Sequence, residues 1–334
     1  MSHLLVPVHE VSQVAEARRI AVALAGSMGY DETRAGAVAL AVTEAGTNLV
    51  KHARDGHLVI GRVERGEAAG VEVYVVDRGP GIANFAASLR DGASTAGSPG
   101  LGLGTLARMT TGFEVYTQPG KGTVMHFEIW AEPQAAHARA SVAAAAICVA
   151  KAGESVAGDS WLIREGKGRI MLLVVDGLGH GPDAAAAAAA ARKTAWDGWE
   201  QDPAALIQDV HAALRGTRGA AAAVAVLKPQ SEAGLYCGVG NIACFLQADG
   251  TSRSLVSHNG IVGHQMRKTQ EFAFAFPRTC LLIAHSDGIA TRWSLRDYPG
   301  LEARSPALIA GAVFRDHVRG RDDATVVVLR NVSV

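Results

Sequence analysis

The stretch Ile170-Met171-Leu172-Leu173-Val174-Val175-Asp176-Gly177-Leu178-Gly179-His180-Gly181 decides the reading of the second half of the chain. The apolar run reads as a strand, Asp176 falls at its end, and the glycines after it make a tight turn. Pro182 and Asp183 then open an alanine run, Ala184 to Ala191, that ends at Arg192-Lys193. An acid at the start and bases at the end complement a helix dipole, so a closely packed helix is expected over Pro182 to Gly198.

Working outward, apolar and β-branched runs recur at Ala143 to Val149, Ser160 to Arg164, Ala221 to Leu227, Gly234 to Val239, Ala243 to Gln247, Thr279 to Ala284 and Ala324 to Leu329. A second helix is expected over Pro203 to Arg215, again with proline at its start. The pattern is that of a sheet-rich α+β domain, a sandwich with flanking helices. Asp159, Asp176, Asp287 and the pair Asp322-Asp323 all fall at strand ends or the adjoining turns. Asp-Gly alone is an ordinary turn, but this ordered set of carboxylates, without cysteine or clustered histidine, suits hard cations such as Mg²⁺ or Mn²⁺. Two such ions can activate a water and hold a phosphoryl group for in-line attack. His180 suits a general acid and a structural hydrogen-bonding group equally. His285, Ser286 and Asp287 do not read as a nucleophilic triad, because neighbours on a strand point in different directions.

The first half has a different pattern. Apolar residues recur at helical spacing from Val11 to His52, broken at Gly26-Ser27-Met28-Gly29-Tyr30, which gives two amphipathic helices. Four strands follow, at Leu58 to Val63, Val71 to Val76, Phe113 to Thr117 and Thr123 to Trp130, the last two forming a hairpin across Pro119-Gly120-Lys121-Gly122. Glu44 and Asn48 share a helix face and suit a base beside a Mg²⁺ ligand, although a solvated helix face shows the same spacing. Asp77 ends a strand and is followed by Gly79-Pro80-Gly81, where a carboxylate can accept from an adenine amino group and glycines let backbone approach a planar base. Gly100, Gly102 and Gly104 precede a helix start at Leu106, and amides at a helix N-terminus cradle phosphate. Thr105 stands where a dinucleotide fingerprint needs its third glycine, and no Walker loop is present.

With 334 residues, two domains are expected: residues 1–131, a linker over 132–140, and residues 141–334. Lys plus Arg and Asp plus Glu are 32 each, so no global field draws the chain to nucleic acid or an anionic membrane. The four cysteines form no CxxC pair and read as buried free thiols. No apolar run is long enough to span a bilayer, and a soluble, cytoplasmic protein is expected.

Taken in order, Glu44 with Asn48, Asp77 to Ile82 and Gly100 to Thr105 resemble the N box and the two Gly boxes of the GHKL ATPase superfamily, and most closely the small anti-sigma-factor serine kinases of the RsbT and SpoIIAB type. The resemblance covers residues 1 to about 130. It implies a Bergerat α/β sandwich in which Glu44 is the base, Asn48 holds Mg²⁺, and Asp77, Gly79, Gly81 and Thr123 line the adenine pocket. Gly100, Gly102 and Gly104 would bind the phosphates of ATP under a short lid, Asn84 to Pro99. From residue 141 on, the ordered acids resemble the SpoIIE-like branch of the PPM serine/threonine phosphatases, nearest the RsbX type, with an α-β-β-α sandwich. That resemblance implies Asp176 as the bridging ligand, the Gly177 carbonyl completing a shell, and Asp159, Asp287 and Asp322 as terminal ligands, with Asp323 left to a water or a third ion. It places no arginine on the phosphate.

Together these imply a bifunctional switch enzyme that phosphorylates a small STAS-domain antagonist or stressosome scaffold from Mg-ATP and hydrolyses that phosphate with Mn²⁺ or Mg²⁺. A homodimer is compatible with the kinase resemblance. The alternative is a phosphatase whose first domain binds nucleotide and partner without significant transfer.

Overall fold

A computed structural model describes residues 2–66, 68–85, 102–132, 141–266 and 268–333. The chain divides into two compact units, His3–Arg139 and Ala140–Val334. Of the expected linker, residues 133–140 lie outside the described residues.

The first unit contains β1 (Leu4–Pro7), α1 (Val11–Ser27), α2 (Glu32–His52), β2 (His57–Arg65), β3 (Ala68–Asp77), α3 (Leu103–Met109), β4 (Thr111–Gln118) and β5 (Gly122–Trp130). The strands form one antiparallel sheet in the order β1-β2-β3-β5-β4. Val71, Val73 and Val75 of β3 and Met125, Phe127 and Ile129 of β5 pack on the alanine-rich faces of α1 and α2. The small residues bring the helices close: a Cβ added to Gly46 would lie 2.9 Å from the Val14 side chain. Asp31 starts α2 by accepting the Arg34 N–H at 2.7 Å. β1 is a fifth strand that the sequence reading did not include, a short edge strand ending in proline, which carries little pattern of its own.

The second unit contains β6 (Val142–Val149), β7 (Asp159–Gly166), β8 (Arg169–Gly177), α4 (Pro182–Asp197), α5 (Pro203–Ala213), β9 (Ala220–Lys228), β10 (Ala233–Val239), β11 (Ala243–Ala248), β12 (Thr251–Leu255), β13 (Phe272–Ala275), β14 (Leu281–His285), α6 (Pro306–His317) and β15 (Ala324–Asn331). Its two five-stranded sheets have the orders β13-β10-β9-β8-β7 and β12-β11-β14-β15-β6. Alternation along β8 explains the unbroken apolar run. Ile170, Leu172 and Val174 enter the core between the sheets, while Met171, Leu173 and Val175 face α4 and α5. Within α4, Ala184, Ala187, Ala188, Ala191 and Ala195 form the buried stripe, so the alanine run is a packed helix.

Three elements were not expected. β12 and β13 are short and lie at sheet edges. α6 is buried at every residue from Pro306 to Arg315, so it shows no polar face to give it helical period. Its start was nevertheless marked: Ser305 accepts the Leu308 N–H ahead of Pro306 at the first turn. All four cysteines are free and buried. No helix among the described residues is long and apolar enough to cross a membrane.

Candidate functional site

In the first unit, Asp77 closes β3 and is 8% exposed, and its Oδ1 accepts the Gly79 N–H at 2.6 Å. Across the sheet Asp77 stands in register with Thr123, whose Oγ1 lies 3.2 Å from Thr117 Oγ1. Thr117 Oγ1 also accepts the Ile82 N–H at 2.8 Å, and the Gly120 N–H donates to Pro80 O at 2.8 Å. The loop after Asp77 is therefore strapped to the β4–β5 turn. Glycine is required there: Gly81 sits at φ +73, and an added Cβ would lie 2.4 Å from Gln118 O. Gly122 sits at φ +97, with Asp77 O only 2.0 Å from an added Cβ. Asp77, Gly79, Gly81 and Thr123 thus come together around one loop.

Glu44 and Asn48 are partly buried on α2, which packs against β3, β5 and α3. The helix expected from Leu106 begins at Leu103, so Gly102 is its N-cap and Gly104 lies buried in its first turn. Gly100 and most of the expected lid fall outside the described residues.

In the second unit, β7 and β8 pair so that Asp159 stands opposite Asp176, while β9 places Ala221 on Asp176's other side. Asp176 continues the Ile170, Leu172, Val174 series and so faces the space between the sheets. There, Asp176, Asp287, Asp322, Asn241, Ala221, Leu178 and Gly179 line a cavity of about 120 Å³. Asn241 Nδ2 donates to Asp287 Oδ2 at 2.8 Å.

Asp159 is set back from this cavity. It is 5% exposed, and its Oδ2 accepts from Ser286 Oγ at 2.6 Å, which in turn accepts the Thr325 N–H at 3.0 Å. Ser286 thus ties β7 to β15. Asp323 clasps two backbone amides: Oδ1 accepts the Lys151 N–H and Oδ2 the Gly158 N–H, each at 2.8 Å. His180 donates from Nδ1 to Glu154 Oε1 at 2.5 Å, which orients its ring.

The electrostatics are those of crowded acids. Burial, and then the carboxylates of Asp159, Asp287, Asp322 and Asp323, push Asp176 up to about 9. Burial likewise drives Asp159 up to about 7, against the hydrogen bond from Ser286. Asp287 is raised by burial and by Asp322, with Arg319 opposing. Among the described residues no three His, Cys, Asp or Glu side chains are already gathered on a single ion position. The acids ring the cavity, and the fit to a divalent cation lies in their chemistry: oxygen donors only, mutually repelling, with space between them.

Sequence reasoning missed Asn241 and Glu154. Asn241 follows Gly240 just before a strand and had a detectable position but no acidic character. Ser286 is rejected as a nucleophile from the sequence, and its bond to Asp159, 127 positions away, carries no local signal.

A two-domain α+β protein, with an α/β sandwich followed by a sandwich of two sheets between helices, is defined by this fold. A family profile described as Histidine kinase-like ATPase domain matches residues 8–127, and one described as Stage II sporulation protein E (SpoIIE) matches 166–331. The chain therefore joins a GHKL-type, histidine kinase-like ATPase domain to a SpoIIE-type PPM phosphatase domain. Phosphoserine phosphatase RsbX of Bacillus subtilis (strain 168) is 26% identical over 140 residues, covering 42% of this chain and 70% of the relative. Serine/threonine-protein kinase RsbT of the same organism is 26% identical over 117 residues, covering 35% of this chain and 88% of the relative. A chain from a bacterial stressosome, described as a modular system adapted to control secondary messenger signaling, superposes with a TM-score of 0.53 at 27% identity, covering 57% of this chain and 100% of its own. RsbX in complex with magnesium superposes with a TM-score of 0.51 at 21% identity, covering 58% and 97%, a likeness of fold.

Proposed function

We propose that the chain is a bifunctional protein-serine/threonine switch enzyme acting on a small STAS-domain partner, an anti-anti-sigma protein or stressosome scaffold. The first domain phosphorylates the partner from Mg-ATP and the second removes the phosphate. The observation that carries the reading is the cavity ringed by Asp176, Asp287 and Asp322 at one end of the sandwich. The pairing of kinase-like and phosphatase-like relatives on one chain supports it.

In the second domain, Asp176, Asp287, Asp322 and the Gly177 carbonyl would hold divalent cations, with Asp159 behind Asp176. Bound Mg²⁺ or Mn²⁺ supplies an activated water and neutralises phosphoryl charge. Asn241 fixes the Asp287 carboxylate toward the cavity. Attack of water on phosphorus breaks the bond to the seryl oxygen, which leaves as a hydroxyl after taking a proton. His180, whose Nδ1 donates to Glu154, is the candidate donor of that proton.

In the first domain, Asp77, Gly79, Gly81 and Thr123 would bind adenine, Gly100, Gly102 and Gly104 the phosphates, and Asn48 the Mg²⁺. Glu44 takes the proton of the partner's hydroxyl as its oxygen attacks the γ-phosphorus and the bond to the ADP oxygen breaks.

The test is the intact mass of a candidate STAS partner incubated with Mg-ATP and the Asp176→Asn chain. Gain of one phosphoryl group, reversed by the unaltered chain with Mn²⁺ and no ATP, is expected. No gain, with a pre-phosphorylated partner still hydrolysed, would leave a phosphatase carrying a nucleotide-binding regulatory domain.

A further inference from the structure

Resting on the reading of the second domain as a phosphatase, we propose that Arg218 recognises the phosphoryl group of the phosphoserine or phosphothreonine substrate, with Asp183 as the residue that positions it. Arg218 immediately precedes the Gly219 carbonyl that accepts the Leu178 N–H at 3.0 Å, which fixes its backbone beside the cavity-lining turn. Its Nη2 donates to Asp183 Oδ2 at 2.6 Å, at the start of α4. Its Nη1 rests over Gly179, where an added Cβ would lie 3.1 Å away, and Gly179 lines the acidic cavity at φ +85. The guanidinium is therefore laid across bare backbone at the rim, with one corner anchored.

The chemistry of the cavity calls for such a group. A phosphate monoester is a dianion, and three carboxylates line the space it must approach. A guanidinium fork matches two phosphoryl oxygens at once. A purely structural role explains the pair poorly, because its side chains are 50% and 68% exposed, and such pairs add little to stability. Arg319, whose charge reaches Asp287, is the competing cation, but no ion pair among the described residues holds its side chain.

The experiment is steady-state hydrolysis of a phosphoserine peptide with Mg²⁺ by the full chain. Arg218→Ala should raise KM at least tenfold while kcat changes less than threefold. Arg218→Lys should recover part of the loss, Asp183→Ala should fall between, and Arg319→Ala should stay within twofold. Melting temperatures of all four should match the parent. A fluorescein-labelled phosphoserine peptide should bind the Asp176→Asn chain at least tenfold more weakly when Arg218→Ala is added, with the unphosphorylated peptide unaffected. A KM for Arg218→Ala within twofold of the parent, or a loss carried by Arg319→Ala instead, overturns the assignment. Absence of phosphate release by the unaltered chain sinks the phosphatase reading itself, whereas release with KM indifferent to Arg218 sinks only this inference.

Discussion

Asp159 and Asp176 stand directly opposite each other in register on neighbouring antiparallel strands, with their carboxylates on the same face. Like charges so placed oppose folding, and the structure responds by holding Asp176 up to about 9 and Asp159 up to about 7, burial being the larger cause in each. A site of this kind favours a bound cation over an empty cavity.

Asp176→Asn should accordingly abolish phosphate release, by at least a hundredfold, while stabilising the cation-free chain. The sign follows from the raised value: ionisation is disfavoured in the fold, so the parent loses stability as pH rises above the ordinary carboxylate range toward about 9. In chelator, differential scanning at pH 8 should show the variant melting several degrees higher, since about 1 kcal/mol moves a domain of this size by roughly 2–4 °C. Added Mg²⁺ should raise the melting temperature of the parent and not of the variant.

The adjacent acids Asp322 and Asp323 should separate cleanly. Asp322→Asn removes a cavity carboxylate and should lose hydrolysis with the melting temperature nearly unchanged. Asp323→Ala orphans the Lys151 and Gly158 amides and should cost about 2–4 kcal/mol in chemical denaturation. Equal destabilisation by the two substitutions would contradict the assignment of Asp323 as a clasp.

Glu44→Ala should remove phosphoryl transfer to the partner while leaving ATP affinity within a few-fold, as read by isothermal titration. Gly122→Ala should do the reverse of sparing the pocket. Its φ of +97 and the 2.0 Å approach of Asp77 O to an added Cβ displace Asp77, so both stability and ATP binding should fall, stability by about 2 kcal/mol or more.

Acid stability of the first domain should hinge on Glu72. Burial alone would raise its carboxyl, but hydrogen bonds from His126 and His3, at 3.3 and 3.0 Å, and their charge outweigh it and hold it at about 2. A depressed value means stability present above the unfolded carboxylate range and lost as pH falls from about 4 toward 2. The shift from 4.5 to about 2 is worth on the order of 3 kcal/mol. Glu72→Gln should flatten the acid limb of the stability profile and lower the plateau at neutral pH; an unchanged profile would contradict the ion-pair account.

Much of this was legible in the residues because local rules agreed with the fold. Pro182-Asp183 and Asp31 mark helix starts, the Ile170 to Val175 run marks a doubly covered strand, and Gly79-Pro80-Gly81 marks a loop that only glycines can close. β1, β12 and α6 escaped because their stability comes from neighbours. An edge strand ending in Pro7 has little period, and a helix buried from Pro306 to Arg315 has no polar face to betray it.

The sequence by itself determined which acids sit at strand ends and which glycines bend the backbone, since strand runs, turn chemistry and helix dipoles act over a few residues. Only the tertiary structure decided what each acid does. Asp322 lines the cavity while its neighbour Asp323 ties two amides, Asp159 is withdrawn onto Ser286, and Arg218 reaches the rim from 42 positions beyond Asp176. Those differences come from strand register and from partners more than 100 residues away, as with Ser286 for Asp159 and Gly158 for Asp323, and no local pattern encodes them.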